Sequence, residues 1–134
     1  MAVNKSSLSA GEIIRAILLE DTEVSKRTKK IYPIVQVSTE AILPYIAYRR
    51  MALTANPQKA GQPGADTIQF EVVCYTAKYP EGVELAEAVR GALDHIESEH
   101  NGLRLRSCDL ADSQEDYDTE GGAYMQQLIF NIKI

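Results

Sequence analysis

The spacing of apolar residues switches between helical and alternating as the chain advances. Ile13, Ile14, Ile17 and Leu18 fall on one stripe with Glu12, Arg15 and Glu20 off it, so the spacing predicts an amphipathic helix ending near Asp21. Ser9-Ala10-Gly11-Glu12 fits a capping box at its start, in which the serine hydroxyl accepts from one orphan amide and the glutamate reaches back to another. The β-branched and aromatic residues of IYPIVQV, LPYIAYRRMAL and DTIQFEVVCYTA then predict three strands. In the last of these, Ile68, Phe70, Val72 and Cys74 share a core face, while Gln69, Glu71, Val73 and Tyr75 share a half-wet one. The separator TANPQKAGQPGA, with its Asn-Pro and Gln-Pro-Gly, reads as a long exposed hairpin loop.

Tyr-Pro-Glu-Gly turns the chain from strand to helix. Pro80 suits a first helical turn, where its missing N–H would be unpaired anyway, and Val83, Ala86, Val89, Leu93 and Ile96 recur at three and four residues. After the Asn101-Gly102 turn, LRLRSCDL reads as a strand with Leu103 and Leu105 inward, and DLADSQEDYDTEGG as a solvated acidic loop. In AYMQQLIFNIKI, Leu128, Phe130, Ile132 and Ile134 alternate against Gln127, Ile129, Asn131 and Lys133. The order helix, three strands, helix, two strands predicts an α+β fold: a mostly antiparallel sheet of about five strands with both helices on one face. A single domain is expected over residues 1–134.

Composition narrows the function more than the fold. A chain of 134 residues with 45% hydrophobic and 25% charged content is an ordinary globular domain, with no sign of a fibrous repeat or wholesale disorder. No apolar run approaches the roughly 18 residues of a membrane span. MAVNKSSLSAGE lacks the apolar centre of a secretory signal, so a cytoplasmic protein with no membrane partner is expected. A formal charge of −5 argues against nucleic acid as a general partner.

Candidate chemistry is sparse. A small enzyme or binding module would have to use Cys108, His95 and the acidic stretch; Cys74 is in phase with the core face, and apolar burial makes a thiol inert. Asp116, Asp118 and Glu120 before Gly121 look like the start of a calcium loop, but the twelfth position is Gln127 and strand alternation follows. The glycines form no phosphate cradle. No catalytic residue, metal ligand or cofactor is therefore expected. SKRTKK crowds Lys26, Arg27, Lys29 and Lys30 together, which would suit a weak nucleic-acid binder, although a solvated loop is the plainer reading.

The layout as a whole resembles the phage tail completion, or tail-to-head joining, proteins. The similarity runs from about Glu12 to the end of the sequence and is carried by Ile31-Tyr32-Pro33, by Leu43-Pro44-Tyr45-Ile46-Ala47-Tyr48, and by Cys74-Tyr75 followed by Glu84-Leu85-Ala86-Glu87-Ala88-Val89-Arg90. The chain departs from that pattern in its longer acidic DSQEDYDTEGG and in SKRTKK. The resemblance implies a tail-terminator-like fold without catalytic residues and a role in virion assembly. It further implies a ring, commonly six-fold, that caps the tail tube and meets the head connector, with DNA at most passing through the lumen. Such a protein is made in the host cytoplasm and ends in the virion tail.

The candidate contact residues are then the basic Lys26, Arg27, Lys29 and Lys30, the loop residues Asn56, Gln58, Lys59 and Gln62, and the acidic Asp112, Glu115, Asp116, Asp118 and Glu120. Free in dilute solution, the chain is expected to be a monomer or a loose oligomer.

Overall fold

The computed structural model of the protein describes residues 5–34, 42–56, 66–100 and 102–134. Helix α1 (Ala10–Glu20) forms where its stripe predicts and buries Ala10, Ile13, Ile14 and Leu18. Its start differs from the expected capping box. Ser9 makes no side-chain cap; a 3-10 turn, Ser7–Ser9, leads into the helix, with the Ser6 hydroxyl accepting from the Leu8 N–H and the Ser6 carbonyl from the Ser9 N–H. With that turn in place Glu12 points outward and pairs with Lys5.

A second helix, α2 (Thr22–Arg27), replaces part of the loop expected at SKRTKK. The Asp21 carboxylate accepts from the Val24 N–H as an N-cap, and Val24 is the one buried side chain that ties the helix to the core. One apolar residue in six gives no periodicity to read, which is why the helix escaped the sequence pattern.

The strands are β1 (Ile31–Pro33), β2 (Tyr45–Thr54), β3 (Thr67–Thr76), β4 (Ser98–His100), β5 (Leu103–Leu105), β6 (Ser107–Asp118) and β7 (Ala123–Lys133), with helix α3 (Tyr79–Leu93) between β3 and β4. Five of them build one sheet in the order β1-β2-β3-β7-β6. Only β1 with β2 is parallel; the other neighbours in this sheet run antiparallel. Strands β4 and β5 form a separate two-stranded ribbon. The fold is thus the expected α+β arrangement, with the strand read in LRLRSCDL divided between the ribbon and the start of β6.

The acidic stretch expected to be a loop is instead strand: β6 runs to Asp118, and the turn is confined to about residues 119–122. Its polarity follows from its place. As an edge strand it pairs on one side only, and past the bulge between Leu110 and Asp112 its side chains are mostly exposed, so no apolar alternation marks it.

Alternation on β3 and β7 sorts the two faces as expected. Ile68, Phe70, Val72 and Cys74 meet Leu128, Phe130 and Ile132, and α1 and α3 cover them. On the opposite face Tyr45, Ala47, Val73, Tyr75 and Ala123 form a smaller buried cluster. Helix α3 keeps most of the predicted stripe: Val89 and Leu93 are buried and Ala86 and Ile96, the latter past the helix end, pack against the core, whereas Val83 is exposed and Gly82, Leu85 and Ala92 complete the buried face. Gly82 permits this seat, because a Cβ there would meet Thr76 Oγ1 at 2.8 Å.

Candidate assembly surfaces

The strand order places the two charged segments at opposite margins of the sheet. Four inter-strand steps of about 4.8 Å put those margins roughly 19 Å apart. At the β1 margin Lys29 is exposed and Lys30 donates to the Ile42 carbonyl at 3.0 Å. Lys26 and Arg27 close α2, where both pair with Glu23 and Arg27 also approaches Glu84 at 4.0 Å. The basic segment is therefore half neutralised within its own chain, and Lys29 and Lys30 carry its outward charge.

The β6 margin is acidic along its length. Asp112, Gln114, Asp116 and Asp118 pair with β7 residues of the helix-free face, whereas Glu115 pairs with Gln126 toward the helices. Glu115 is held by the Gln126 amide at 2.9 Å and the Tyr79 hydroxyl at 2.8 Å, and these donors hold its carboxyl below the usual range. Glu120 caps the turn through its N–H to Asp118.

The sheet edges are partly closed as the templates that unpaired strands usually present. On β6 the N–H groups of Leu110, Ser113 and Tyr117 are taken by the carboxylates of Asp94, Asp112 and Asp116, and the Cys108 carbonyl accepts from the His95 N–H. On β1 the bonds from Ile46 N–H to the Lys30 carbonyl and from Ile34 N–H to the Tyr48 carbonyl turn residues 30, 32 and 34 toward β2. Ile31 and Pro33 then face outward; Pro33 has no N–H, and the Ile31 carbonyl accepts from Arg15 Nε at 3.2 Å.

Large apolar side chains flank both margins. Tyr32 is 42% exposed, Ile34 66% and Ile42 70% at the β1 side, and Tyr79 is 44% and Tyr117 45% exposed at the β6 side. Sequence reasoning, following charge, passed over all five as contacts. The compositional signal was present: seven tyrosines stand against two phenylalanines and no tryptophan, and tyrosine suits surfaces that alternate between water and a partner.

On the helix-free face Glu71 is buried and bonded to Arg49 Nε at 2.7 Å and to the Gln127 amide. Tyr45 and Tyr75 stack at 4.7 Å beside it. Arg50 turns to the helix side, donating to the Leu8 carbonyl at 3.0 Å. Asn56, of the loop candidates, donates its N–H to Asp66 at 2.9 Å, whereas Gln58, Lys59 and Gln62 lie outside the described residues.

Of the rival chemical site, the imidazole meets the first residue of the acidic stretch, but the thiol faces away from both. Cys108 points into the core, where burial and the nearby Asp109 and Asp94 push its thiol up to about 12, and burial raises Cys74 further still. The His95 ring is exposed and bonds Asp109 through Nδ1 at 2.9 Å. Asp94, His95 and Asp109 bring one potential metal donor each within 4.8 Å, but the Asp94 carboxylate is already occupied by the Leu110 N–H and Arg90 Nε. Asp116, Asp118 and Glu120 form no such group among the described residues. Grooves between α2 and α3, beside Pro44, and on the helix-free face are lined by no thiol or imidazole.

The fold thus offers two charged, apolar-flanked margins, and among the described residues no thiol faces an imidazole. Comparison with known families decides its place: the family model of the tail completion protein gp17 matches residues 12–134. The chain belongs to the tail completion protein gp17 family. Its role is structural, in assembly of the tail. Among solved structures it is similar to a chain of the virion of a native gene transfer agent particle, with 16% sequence identity, a TM-score of 0.74, and 90% of each chain covered. At that identity the likeness establishes a shared fold. No curated protein matches.

Proposed function

We propose that copies of this tail completion protein close into a ring, commonly six-fold in the proteins it resembles, that caps the tail tube and presents its other surface to the head connector. The observation that carries this reading is the placement of Lys29 and Lys30 at one sheet margin and of Asp112, Asp116 and Asp118 at the other. Opposite charge on opposite margins suits a heterologous, head-to-tail contact, which closes when each subunit turns by a fixed angle. A two-fold contact would set like charge against like.

Exposed ion pairs are worth about 0 to 1 kcal/mol each, so charge sets register and encounter while apolar burial supplies affinity. Closure adds two such contacts per subunit, each too weak to hold a free pair. The chain is thus monomeric or loosely associated in the host cytoplasm, assembles on the tube tip, and remains in the virion tail. With a net charge of −5, DNA is at most a passing occupant of the lumen.

Replacing Lys26, Arg27, Lys29 and Lys30 by glutamate tests the reading. Sedimentation at low salt, with and without tail tubes, is expected to show lost self-association and uncapped tubes. Unchanged assembly overturns it.

A further inference from the structure

We infer that in this ring the β1 margin of one copy meets the β6 margin of the next through side chains, at the register that sets Lys30 beside Asp116, and not by extension of the sheet. The inference rests on the ring reading and adds the partner, the residues and the mode of contact.

Register follows from the pairing across one subunit. Ile31 is level with Ile46, Cys74, Gln126 and Glu115 in turn, so Lys30, one residue earlier, is level with Tyr45, Tyr75, Met125 and Asp116. Three successive antiparallel pairings after one parallel pairing leave β6 antiparallel to β1. A neighbour placed by a sideways step, about a ring axis along the strands, therefore brings its Lys30 to Asp116 and its Lys29 to Tyr117.

The mode of contact follows from an edge backbone that is partly occupied and from the side chains beside it. Pro33 offers no donor, the Ile31 carbonyl is taken by Arg15, and the β6 donors at Leu110, Ser113 and Tyr117 are taken by aspartates. Strand addition would have to strip these partners away first. What both margins expose is side chain: Tyr32, Ile34 and Ile42 with lysines on one, and Tyr79 and Tyr117 with carboxylates on the other. Aromatic and aliphatic anchors inside a charged rim are the composition of an interface centre.

Lys30→Cys combined with Asp116→Cys tests the register. The native cysteines are buried and do not compete. Under oxidation, at a concentration where the unaltered protein sediments above monomer mass, the double variant is expected to give a ladder of linked copies on a denaturing gel. The off-register pair Lys30→Cys with Asp109→Cys is expected to give none. Equal ladders, or none, while the unaltered protein still associates would overturn this contact and leave the ring standing. Association absent at every concentration and on tail tubes would remove both.

Ile42→Ser and Tyr117→Ala test the mode, since both side chains are exposed; Tyr117 also packs against Tyr124, so thermal unfolding of each variant is measured alongside. Each is expected to weaken self-association by about tenfold or more. Unaltered association for both would overturn contact through side chains.

Discussion

Glu71 is the residue whose environment departs most from its type. A carboxylate with 7% exposure lies on the sheet face that no helix covers, and its oxygens are answered by Arg49 and Gln127. Removing one partner of a buried, bonded charge costs more than the pair gains, because the survivor keeps its desolvation penalty. Arg49 is half exposed and solvent replaces part of what it supplies, so Arg49→Ala is expected to cost about 1 to 3 kcal/mol in urea unfolding. Arg49→Met with Glu71→Leu is expected to recover most of that loss, and a double-mutant cycle with no coupling would refute the pairing. At this scale the sequence was informative where phase decides: Cys74 lies in the core as its alternation with Ile68, Phe70 and Val72 requires. It was silent on Cys108 and His95, because their separation depends on which way β6 faces, and a polar edge strand carries no alternation that shows it.

Helix α3 shows how a single element is seated. Two glycines in it have opposite meanings. Gly82 sits under Thr76 and Gln126, whereas a Cβ at Gly91 would meet nothing within 4 Å. Gly82→Ala must push the helix off the sheet or shift the buried Thr76, and is expected to cost about 1 to 3 kcal/mol. Gly91→Ala removes backbone freedom from the unfolded chain without a clash, and is expected to gain about 0.5 to 1 kcal/mol. Thermal unfolding of the two variants is expected to move in opposite directions. The exposure of Val83, the one member of the expected stripe that leaves the core, has the same origin: Gly82 counts as nothing in a hydrophobic pattern, yet it approaches the sheet in place of its neighbour. Long periodic elements such as α1, β3 and β7 were legible for the converse reason, that each buries one face against many partners. Helix α2, β4 and β5 are three to six residues long and β6 is acidic, so pairing and capping, not burial, decide them.

For the molecule as a whole, acid is the revealing perturbation. Several carboxyls are held below their ordinary range: Asp94 by the Leu110 N–H and Arg90, Asp66 by the Ser7 hydroxyl and Asn56 N–H, Glu115 by Gln126 and Tyr79, and Glu23 by Lys26. A depressed folded-state value contributes stability that is present above the unfolded carboxyl value, about 4, and lost as pH falls through the folded one. Melting temperature is expected to change little from about pH 7 to 5 and to fall below about 4, less steeply in Asp94→Asn. A melting temperature that held level on acidification would contradict these assignments. The basic segment 26–30 and the acidic segment 112–120 were predicted as charged, but not as lying at opposite margins of the sheet. That fact lives in the strand order, which no local pattern encodes.

Strand order also bears on when a usable subunit can exist. Strand β7, the latest of the five to be made, lies between β3 and β6, which do not pair with each other. Until β7 is made, no strand joins β3 to β6 in one sheet, and Leu128, Phe130 and Ile132 are missing from the core. Domains complete themselves as synthesis delivers their parts, and here the central part arrives after its neighbours. An interrupted translation product lacks the strand that sets β3 and β6 in one sheet, so it cannot hold a basic and an acidic flank in the relation that the proposed ring contact requires.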